Sequence, residues 1–335
     1  MGANVSRRTA LGLGTAAAAG VMLAPGTAMA EDTSAATTPE RARRRVAAVY
    51  QRESARAGGA WNAYVSVADP DGTAVPAVAE SPDEVLQAYS VNKIAVATAV
   101  LDKVDRGLLS LDQTVNVTAA IVIPGGDGIF SLDGAYPSTV TIGHALAALL
   151  TVSDDTAVRL CGLVCPALEL NAILVAKGFP NTQVEPVANP NRFFLGTSTP
   201  RDTHDLLQAL VRGTLLSPAS TAYLLNVLRS PIAFTDGIRR TMSSDERARI
   251  ATKAGWFDDA RHEAGIMFDG GGTPVLTYAL FAHGQADPDN FGATHPALQA
   301  RAAMGRAFLD AIGALPAPAL RASLTPQRYS PSNGG

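Results

Sequence analysis

Apolar residues recur with helical spacing in the centre of this 335-residue chain and alternate in short runs near its two ends. After residue 90, apolar side chains recur three or four positions apart, which is the spacing of one buried helical stripe. The stripe consists of Ile94, Ala97, Leu101, Val104 and Leu108. Helices are also predicted over 40–57 and 296–312. Between 107 and 249 the pattern is mainly helical, with turn-rich breaks at 124–128 and 189–191.

Strand patterns lie on both sides of this helical middle. Residues 61–68 and 73–79 form a predicted hairpin around the turn sequence Asp-Pro-Asp-Gly. Three more strands are predicted over 249–256, 263–268 and 275–282. Because strands joined by hairpins pair antiparallel, we expect an α+β fold in which both chain ends share one sheet covered by the terminal helices. The helical middle forms a second lobe, and a functional site is expected between the lobes.

The N-terminus has the features of a cleavable export signal. Twin arginines at Arg7 and Arg8 precede an apolar run over 11–23 and the A-x-A sequence at 28–30. An uncleaved membrane anchor is the alternative, but the run is short of the roughly 20 apolar residues that span a bilayer. We therefore predict a twin-arginine-type signal and a secreted or periplasmic protein. The predicted organisation is a signal over 1–30, a linker over 31–39, an α/β lobe over 40–106 and 246–315, a helical lobe over 107–245 and a disordered tail over 316–335.

Composition narrows the possible partners. The formal net charge is −3, which argues against nucleic acid and against an anionic membrane surface. The only cysteines, Cys161 and Cys165, lie four residues apart in a predicted helix, a geometry that rarely suits a disulfide. Two buried thiols are expected. The histidines show no metal-ligand spacing, so no metal is predicted.

Two of the four lysines fall where an acyl-transfer enzyme needs an amine. Residues 90–93 read Ser-Val-Asn-Lys, an S-x-x-K pattern that puts Ser90 and Lys93 on one face of a helix start. A serine hydroxyl becomes a good nucleophile when a neighbouring base takes its proton. Taken alone, the S-x-x-K pattern is weak evidence for a catalytic serine, because Ser90 could be an N-cap and Lys93 a solvated charge.

Two further motifs follow in order. Ser-Asp-Asp at 153–155 is a variant of S-D-N, and Lys-Ala-Gly at 253–255 is a variant of K-T-G. The ordered set resembles the class A β-lactamases and the penicillin-binding-protein superfamily. The resemblance implies that Ser90 attacks a carbonyl and that Ser153 relays a proton to the leaving nitrogen. Lys253 would hold the Ser153 hydroxyl and a substrate carboxylate.

The resemblance also implies an oxyanion hole and a hydrolytic water. The main-chain N–H groups of Ser90 and Trp256, beside Gly255, would bind the oxyanion. Residues 185–189, Glu-Pro-Val-Ala-Asn, resemble the stretch whose glutamate and asparagine hold the hydrolytic water in class A enzymes. Glu185 and Asn189 take those roles by position, although a solvated loop carboxylate is the alternative for Glu185.

Two substitutions depart from the family pattern. Asp155 replaces an asparagine, and a carboxylate beside Lys93 should raise the pKa of that lysine and make it a poorer base. We therefore expect Glu185, through a water, to act as the base. Ala254 replaces a threonine or serine and removes a hydroxyl that bonds the substrate carboxylate, which lowers affinity for penicillin-like acids roughly 10- to 100-fold.

The remaining substrate contacts are less defined. Phe130 could flank the cleft mouth or anchor the core, and Arg261 or His262 could replace the missing carboxylate contact or be solvated. The resemblance thus implies a serine hydrolase that acts on a β-lactam amide, a small-molecule substrate, through an acyl-enzyme on Ser90 and without a cofactor. The exported protein is expected to be a monomer. Two alternatives stay open: a D-Ala-D-Ala peptidase, esterase or amidase with another substrate, and a catalytically idle binding protein.

Overall fold

A computed structural model describes residues 38–132, 134–318, 325–326 and 328–334. The predicted signal over residues 1–30 lies outside the described residues, as does most of the predicted linker. Within the predicted tail, the Thr325 carbonyl accepts hydrogen bonds from Arg229 at 3.4 Å, and the Tyr329 amide donates to Asp245 at 3.0 Å.

Ten strands are found among the described residues. They are β1 (Ala60–Ala68), β2 (Ala74–Glu80), β3 (Leu86–Gln87), β4 (Thr114–Val117), β5 (Ser138–Thr141), β6 (Gln183–Pro186), β7 (Phe193–Ser198), β8 (Ile250–Phe257), β9 (Ala260–Phe268) and β10 (Pro274–His283). The main sheet has the order β2-β1-β10-β9-β8, and every neighbouring pair is antiparallel. The prediction that both chain ends share one sheet is therefore confirmed.

The helices lie on the two faces of this sheet. They are α1 (Pro39–Ala57), α2 (Lys93–Asp105), α3 (Ile142–Thr151), α4 (Asp155–Val164), α5 (Ala167–Ala176), α6 (Pro200–Val211), α7 (Pro218–Leu228), α8 (Ser244–Arg247) and α9 (Pro296–Ile312). One hydrophobic core joins α1 and α9 to the sheet, and a second joins the other face to the helical lobe. Because side chains alternate along a strand, Ile250 of β8 enters the first core and Ala251 the second.

The middle of the chain contains strands that the sequence pattern did not predict. β4 pairs with β5, and β7 lies between β3 and β6 in a three-stranded sheet. Each of β4–β7 has only four to six residues. Such short runs give too little alternation to be separated from loops by pattern alone.

Helix α2 is more deeply buried than a helix that packs only one apolar face against a core. All residues from Lys93 to Leu101 are buried, because other elements pack around the whole helix. The predicted stripe is wrong at its far end, since α2 stops at Asp105 and Leu108 is 54% exposed. An ammonium in this helix needs internal partners, because burial of an unpaired charge is costly.

A buried carboxylate supports the outer strand of the sheet. Glu263 on β9 is fully buried and accepts hydrogen bonds from the Thr252 hydroxyl at 2.7 Å and the Ile238 amide at 3.1 Å. The Arg301 guanidinium lies 3.6 Å away. These contacts fasten the segment before α8 to β8, one residue from Lys253.

The apolar helices of the helical lobe contribute buried side chains to its hydrophobic core. Within the part of the chain that the structure describes, no single helix is long and apolar enough to cross a membrane. Helices α4 and α5 meet that criterion only as a pair, with a bend of 81° between them.

The two cysteines lie where α4 packs into the helical lobe. Both thiols are free and buried, as predicted. Burial raises the pKa of Cys161 and of Cys165 to about 12. Each therefore behaves as a small apolar side chain at neutral pH.

Candidate active site

The predicted nucleophile Ser90 lies in a single 3₁₀ turn directly before α2. The preceding residue, Tyr89, has a φ of +48°, which is strained for a residue with a side chain. The Asn92 side chain donates to two main-chain carbonyls of β7, at 2.7 and 2.9 Å. These bonds hold the turn against β7, and Ser90 stays partly exposed.

Strand β8 passes this turn so closely that only a glycine fits. A β-carbon added to Gly255 would lie 2.8 Å from the Ser90 nitrogen and 2.7 Å from the Val91 nitrogen. Such distances are below any normal contact, so a side chain here would push the strand and the turn apart. This approach is what the predicted oxyanion hole needs, because it brings the Ser90 N–H beside the stretch of β8 that leads to Trp256.

Ser153 lies at the centre of the site. Its hydroxyl oxygen is 3.0 Å from the Lys93 Nζ and 3.0 Å from the Lys253 Nζ. The Lys93 Nζ also donates to the Ser153 carbonyl at 2.5 Å and to Asp155 Oδ1 at 2.8 Å. The Lys253 Nζ donates to the Ala254 carbonyl at 2.7 Å. Two amines and a hydroxyl from three distant motifs thus converge.

The backbone around Ser153 is set by its neighbour Asp154. Ser153 has a φ of +56°, and Asp154 caps α4 by accepting from the Ala157 amide at 2.9 Å. The same carboxylate accepts from the amides of Ile129 and Phe130, at 2.6 and 2.9 Å. Asp154 therefore supplies the N-cap of α4, and the Ser153 hydroxyl is available to the lysines.

Asp155 links Lys93 to the glycine-rich turn. Its Oδ1 accepts from Lys93, and its Oδ2 accepts from the Asp127 amide at 3.1 Å. Burial and the charge of Asp155 raise the pKa of the Asp127 carboxyl, while Lys93 and Lys253 oppose that rise. Sequence reasoning missed Asp127. Its signal was a single charge inside the turn Pro-Gly-Gly-Asp-Gly.

Both lysines have lowered pKa values. For Lys93 burial is the largest cause, and Asp155 opposes it. For Lys253 burial and then the charge of Lys93 lower the pKa strongly. The sequence-based expectation was that Asp155 would raise the pKa of Lys93; the carboxylate does act in that direction, but burial outweighs it. A lowered pKa leaves a larger fraction of an amine unprotonated near neutral pH, and only the unprotonated amine can accept a proton.

The structure does not bring Glu185 into this cluster. Glu185 is exposed on β6, where its backbone pairs with Phe194. The carboxylates that favour the Lys93 ammonium are those of Asp155, Asp127 and Asp154. Asn189 is also exposed, and its side chain accepts from the Asn191 amide at 3.0 Å in a local turn. The geometry thus gives no support to a water held by Glu185 and Asn189.

Three other candidate contacts have buried side chains. Phe130 is 9% exposed and belongs to the core of the helical lobe, so it anchors the core. Arg261 is fully buried, and its guanidinium donates to main-chain carbonyls, among them that of Pro288 at 2.8 Å. His262 is buried against Phe281, and burial lowers its pKa to about 3. Neither Arg261 nor His262 replaces the missing carboxylate contact.

A second serine is part of a hydrogen-bonded chain that the sequence gave no reason to expect. The Ser66 hydroxyl lies 2.7 Å from His204 Nε2, and His204 Nδ1 lies 2.8 Å from Asp205 Oδ1. This order of groups resembles a catalytic triad. Ser66 and His204 are 1% and 2% exposed, however, so a substrate has no access to the hydroxyl. The chain fastens α6 to β1.

Two cavities adjoin the partners of Lys93. A cavity of about 210 Å³ is lined by Ser153, Lys253 and Trp256, together with Asp236 from the segment before α8. A second cavity, of about 300 Å³, is lined by Asp155 and by the segment that enters β7. Among the described residues, no group of three potential ligand side chains could hold a metal ion.

Comparisons with known proteins concern the family and the fold of the chain. A family model described as "Beta-lactamase enzyme family" matches residues 41–312. A β-lactamase structure from Sphaerobacter thermophilus has a TM-score of 0.66 at 23% identity and covers 81% of this chain and 98% of that one. The structure of PBP-A gives 0.62 at 21%, with coverage of 79% and 95%. The search of curated proteins found no match.

At these identities the solved structures show the fold and nothing finer. The family model is the stronger finding, because it spans most of the described chain, including every residue of the Ser153 cluster. The protein therefore belongs to the beta-lactamase enzyme family.

Proposed function

We propose that this protein hydrolyses a β-lactam amide through an acyl-enzyme on Ser90. The observation that carries the proposal is the Ser153 hydroxyl, which lies 3.0 Å from the amines of both Lys93 and Lys253. A hydroxyl between two buried amines can pass a proton from one to the other or to a leaving group. The alternative that Lys93 is a solvated surface charge does not account for a buried amine that bonds this hydroxyl.

In the proposed reaction Ser90 Oγ forms a bond to the substrate carbonyl carbon as its proton passes to Lys93. The main-chain N–H groups of Ser90 and Trp256 stabilise the oxyanion. The carbon–nitrogen bond then breaks, and Ser153 gives its proton to the leaving nitrogen and regains one from the lysines. Water attack on the ester releases the acid and restores Ser90.

The protonation of Lys93 decides when the first step can occur. An ammonium has three N–H donors, and the three bonds of the Lys93 Nζ go to the Ser153 carbonyl, the Ser153 hydroxyl and Asp155. The resting geometry therefore suits the charged form. Loss of one proton frees a lone pair for Ser90, and burial makes that loss easier.

A second candidate function is a peptidase, esterase or amidase with another substrate. The position of Glu185 favours it, because the exposed carboxylate on β6 does not stand among the groups that act on Lys93. Without a positioned base for water, an acyl-enzyme formed from a β-lactam would be released slowly. Slow release matters less for a substrate whose leaving group diffuses away and opens the site to water.

Incubation with a chromogenic cephalosporin and with penicillin G, followed by intact mass spectrometry, tests the proposal. Rapid colour change with no lasting mass increase supports the β-lactamase function. A lasting adduct supports the second candidate, and the adduct must vanish in Ser90→Ala. If neither reagent reacts and D-Ala-D-Ala peptides and simple esters are also stable, the protein is a binding protein of this fold.

Export and the monomeric state also remain proposals. Detection of a chain that begins at Glu31 outside the cytoplasm would support the predicted signal, and retention of Arg7 and Arg8 there would contradict it. Light scattering of the purified protein would test the monomer.

The substitution Asp155→Asn is expected to speed acylation at pH 7 by roughly 3- to 10-fold. The carboxylate favours the Lys93 ammonium, so its removal lets the amine lose its proton at lower pH. The acid limb of the acylation rate against pH should therefore move to lower pH. Stopped-flow measurement of adduct formation from pH 5 to 9 checks this.

Asp102→Asn is the matched control for Asp155→Asn. Asp102 lies on α2 and pairs with Lys177 at 2.8 Å, outside the Ser153 cluster. The acylation rate of Asp102→Asn should depend on pH in the same way as that of the unaltered protein. An acid limb that does not move in Asp155→Asn would show that Lys93 is not the titrating base.

A further inference from the structure

The larger cavity beside Asp155 has an unusual combination of apolar walls and arginines. It has a volume of about 300 Å³ and lies between α4 and the segment 187–195 that leads into β7. Val158 and Phe194 are among its apolar lining residues, and Arg159 and Arg192 also line it. The volume is at the lower end for small-molecule sites, which suits one substituent of a ligand better than a whole ligand.

Two of the residues that line the cavity bond to residues of the candidate active site. Asp155 lines the cavity and accepts from the Lys93 Nζ at 2.8 Å. Leu195 lines it from the other side, and its carbonyl accepts from Asn92 in the turn that holds Ser90. The cavity therefore adjoins both the partner of Lys93 and the strand that holds the Ser90 turn.

The two guanidinium groups have no acidic partner among the residues that the structure describes. Arg159 donates to the carbonyls of Ile121 and Val122 at 3.1 and 3.4 Å, and Arg192 donates to the Ala120 carbonyl at 3.0 Å. In the described part of the chain, no carboxylate forms an ion pair with either. Each guanidinium has five N–H donors, so several remain for a ligand.

The two charges also act on each other. Burial and the charge of Arg192 lower the pKa of Arg159, while Asp155 opposes the effect. Asp155 is already engaged by Lys93, so it does not neutralise the pair. An anion placed between the guanidiniums would relieve their repulsion and would be bound by charge-assisted hydrogen bonds.

We propose that this cavity is a specificity subsite for an acyl substituent that ends in a carboxylate, which Arg159 and Arg192 bind while the apolar wall contacts the body of the substituent. The inference rests on the proposed acyl transfer at Ser90. It adds a substrate class: acyl donors with a negatively charged side chain on the acyl side of the scissile bond.

The test compares penicillin G with its α-carboxy analogue, which differs only by a carboxylate on the acyl side chain. The second-order acylation rate should favour the analogue by roughly 10- to 100-fold, the contribution expected from hydrogen bonds to a charged group. Arg159→Gln and Arg192→Gln should each remove most of this preference. The rate with penicillin G should change little. Arg56→Gln, at a 79% exposed arginine on α1, is the control and should keep the full preference.

A binding measurement separates this inference from the proposed reaction. Calorimetry with Ser90→Ala should show tighter binding of the α-carboxy analogue, and the difference should weaken at high salt. If both penicillins acylate Ser90 at the same rate and both arginine variants behave like the control, the subsite is refuted and the reaction stands. If neither penicillin acylates yet Ser90→Ala prefers the analogue, the reaction is refuted and the subsite stands. Equal binding of the two penicillins by Ser90→Ala also overturns the subsite.

Discussion

Replacement of Lys93 by methionine is expected to slow acylation of Ser90 by about 10⁴-fold, because the substitution removes the only amine one helical turn from that hydroxyl. Methionine has a similar length and suits the buried position in α2, so the packing should survive. The rate of adduct formation with penicillin G, followed by mass spectrometry, measures the effect.

Lys103→Met supplies the control for this substitution. Lys103 lies on the same helix and bonds Glu169 at 2.7 Å, far along α2 from Ser90. Its loss should leave the acylation rate within about twofold of the original, as for a surface ion pair. An adduct that forms at the normal rate in Lys93→Met would assign the base to another group, with Lys253 as the first candidate.

Gly255→Ala is expected to lower the acylation rate by roughly 10²- to 10³-fold, the cost of losing one oxyanion-hole donor. The added β-carbon would stand 2.8 Å from the Ser90 nitrogen, so β8 and the turn must separate. The two main-chain N–H groups that should bind the oxyanion would then no longer point at the same oxygen atom. Adduct formation and the melting temperature should be measured on the same samples.

Gly270→Ala is the control for Gly255→Ala. Gly270 lies in the β9–β10 turn, where a β-carbon meets nothing within 4 Å. This variant should acylate normally. If Gly255→Ala also acylates normally while it stays folded, the strand and the turn can adjust, and the oxyanion must be bound elsewhere.

The sheet and the terminal helices could be predicted from the sequence because their patterns are long. Strands β8, β9 and β10 have eight to ten residues each, and turn residues separate them. The short strands of the middle could not be predicted. β6 pairs with β7, and the residues of β7 lie outside the 185–189 stretch that the sequence singled out.

The candidate site was predictable where a motif fixes the geometry locally. Ser90, Lys93, Ser153 and Lys253 were found from three short patterns, and the structure brings the two lysines and Ser153 together. Glu185 lies exposed on β6, apart from these groups, because a motif match does not say which strand a residue joins. Asp127 was missed because its contact with Asp155 arises from the fold of a glycine-rich turn.

The buried cysteines allow local opening of the helix beside the site to be measured by thiol labelling. Helix α4 carries Asp155 at its start and Cys161 two turns later, and the thiol pKa of about 12 leaves almost no thiolate at neutral pH. A maleimide or disulfide reagent can therefore label the chain only when α4 separates from the lobe behind it. The labelling rate of the native protein therefore measures how often α4 opens locally, and α4 carries Asp155, the carboxylate that bonds Lys93.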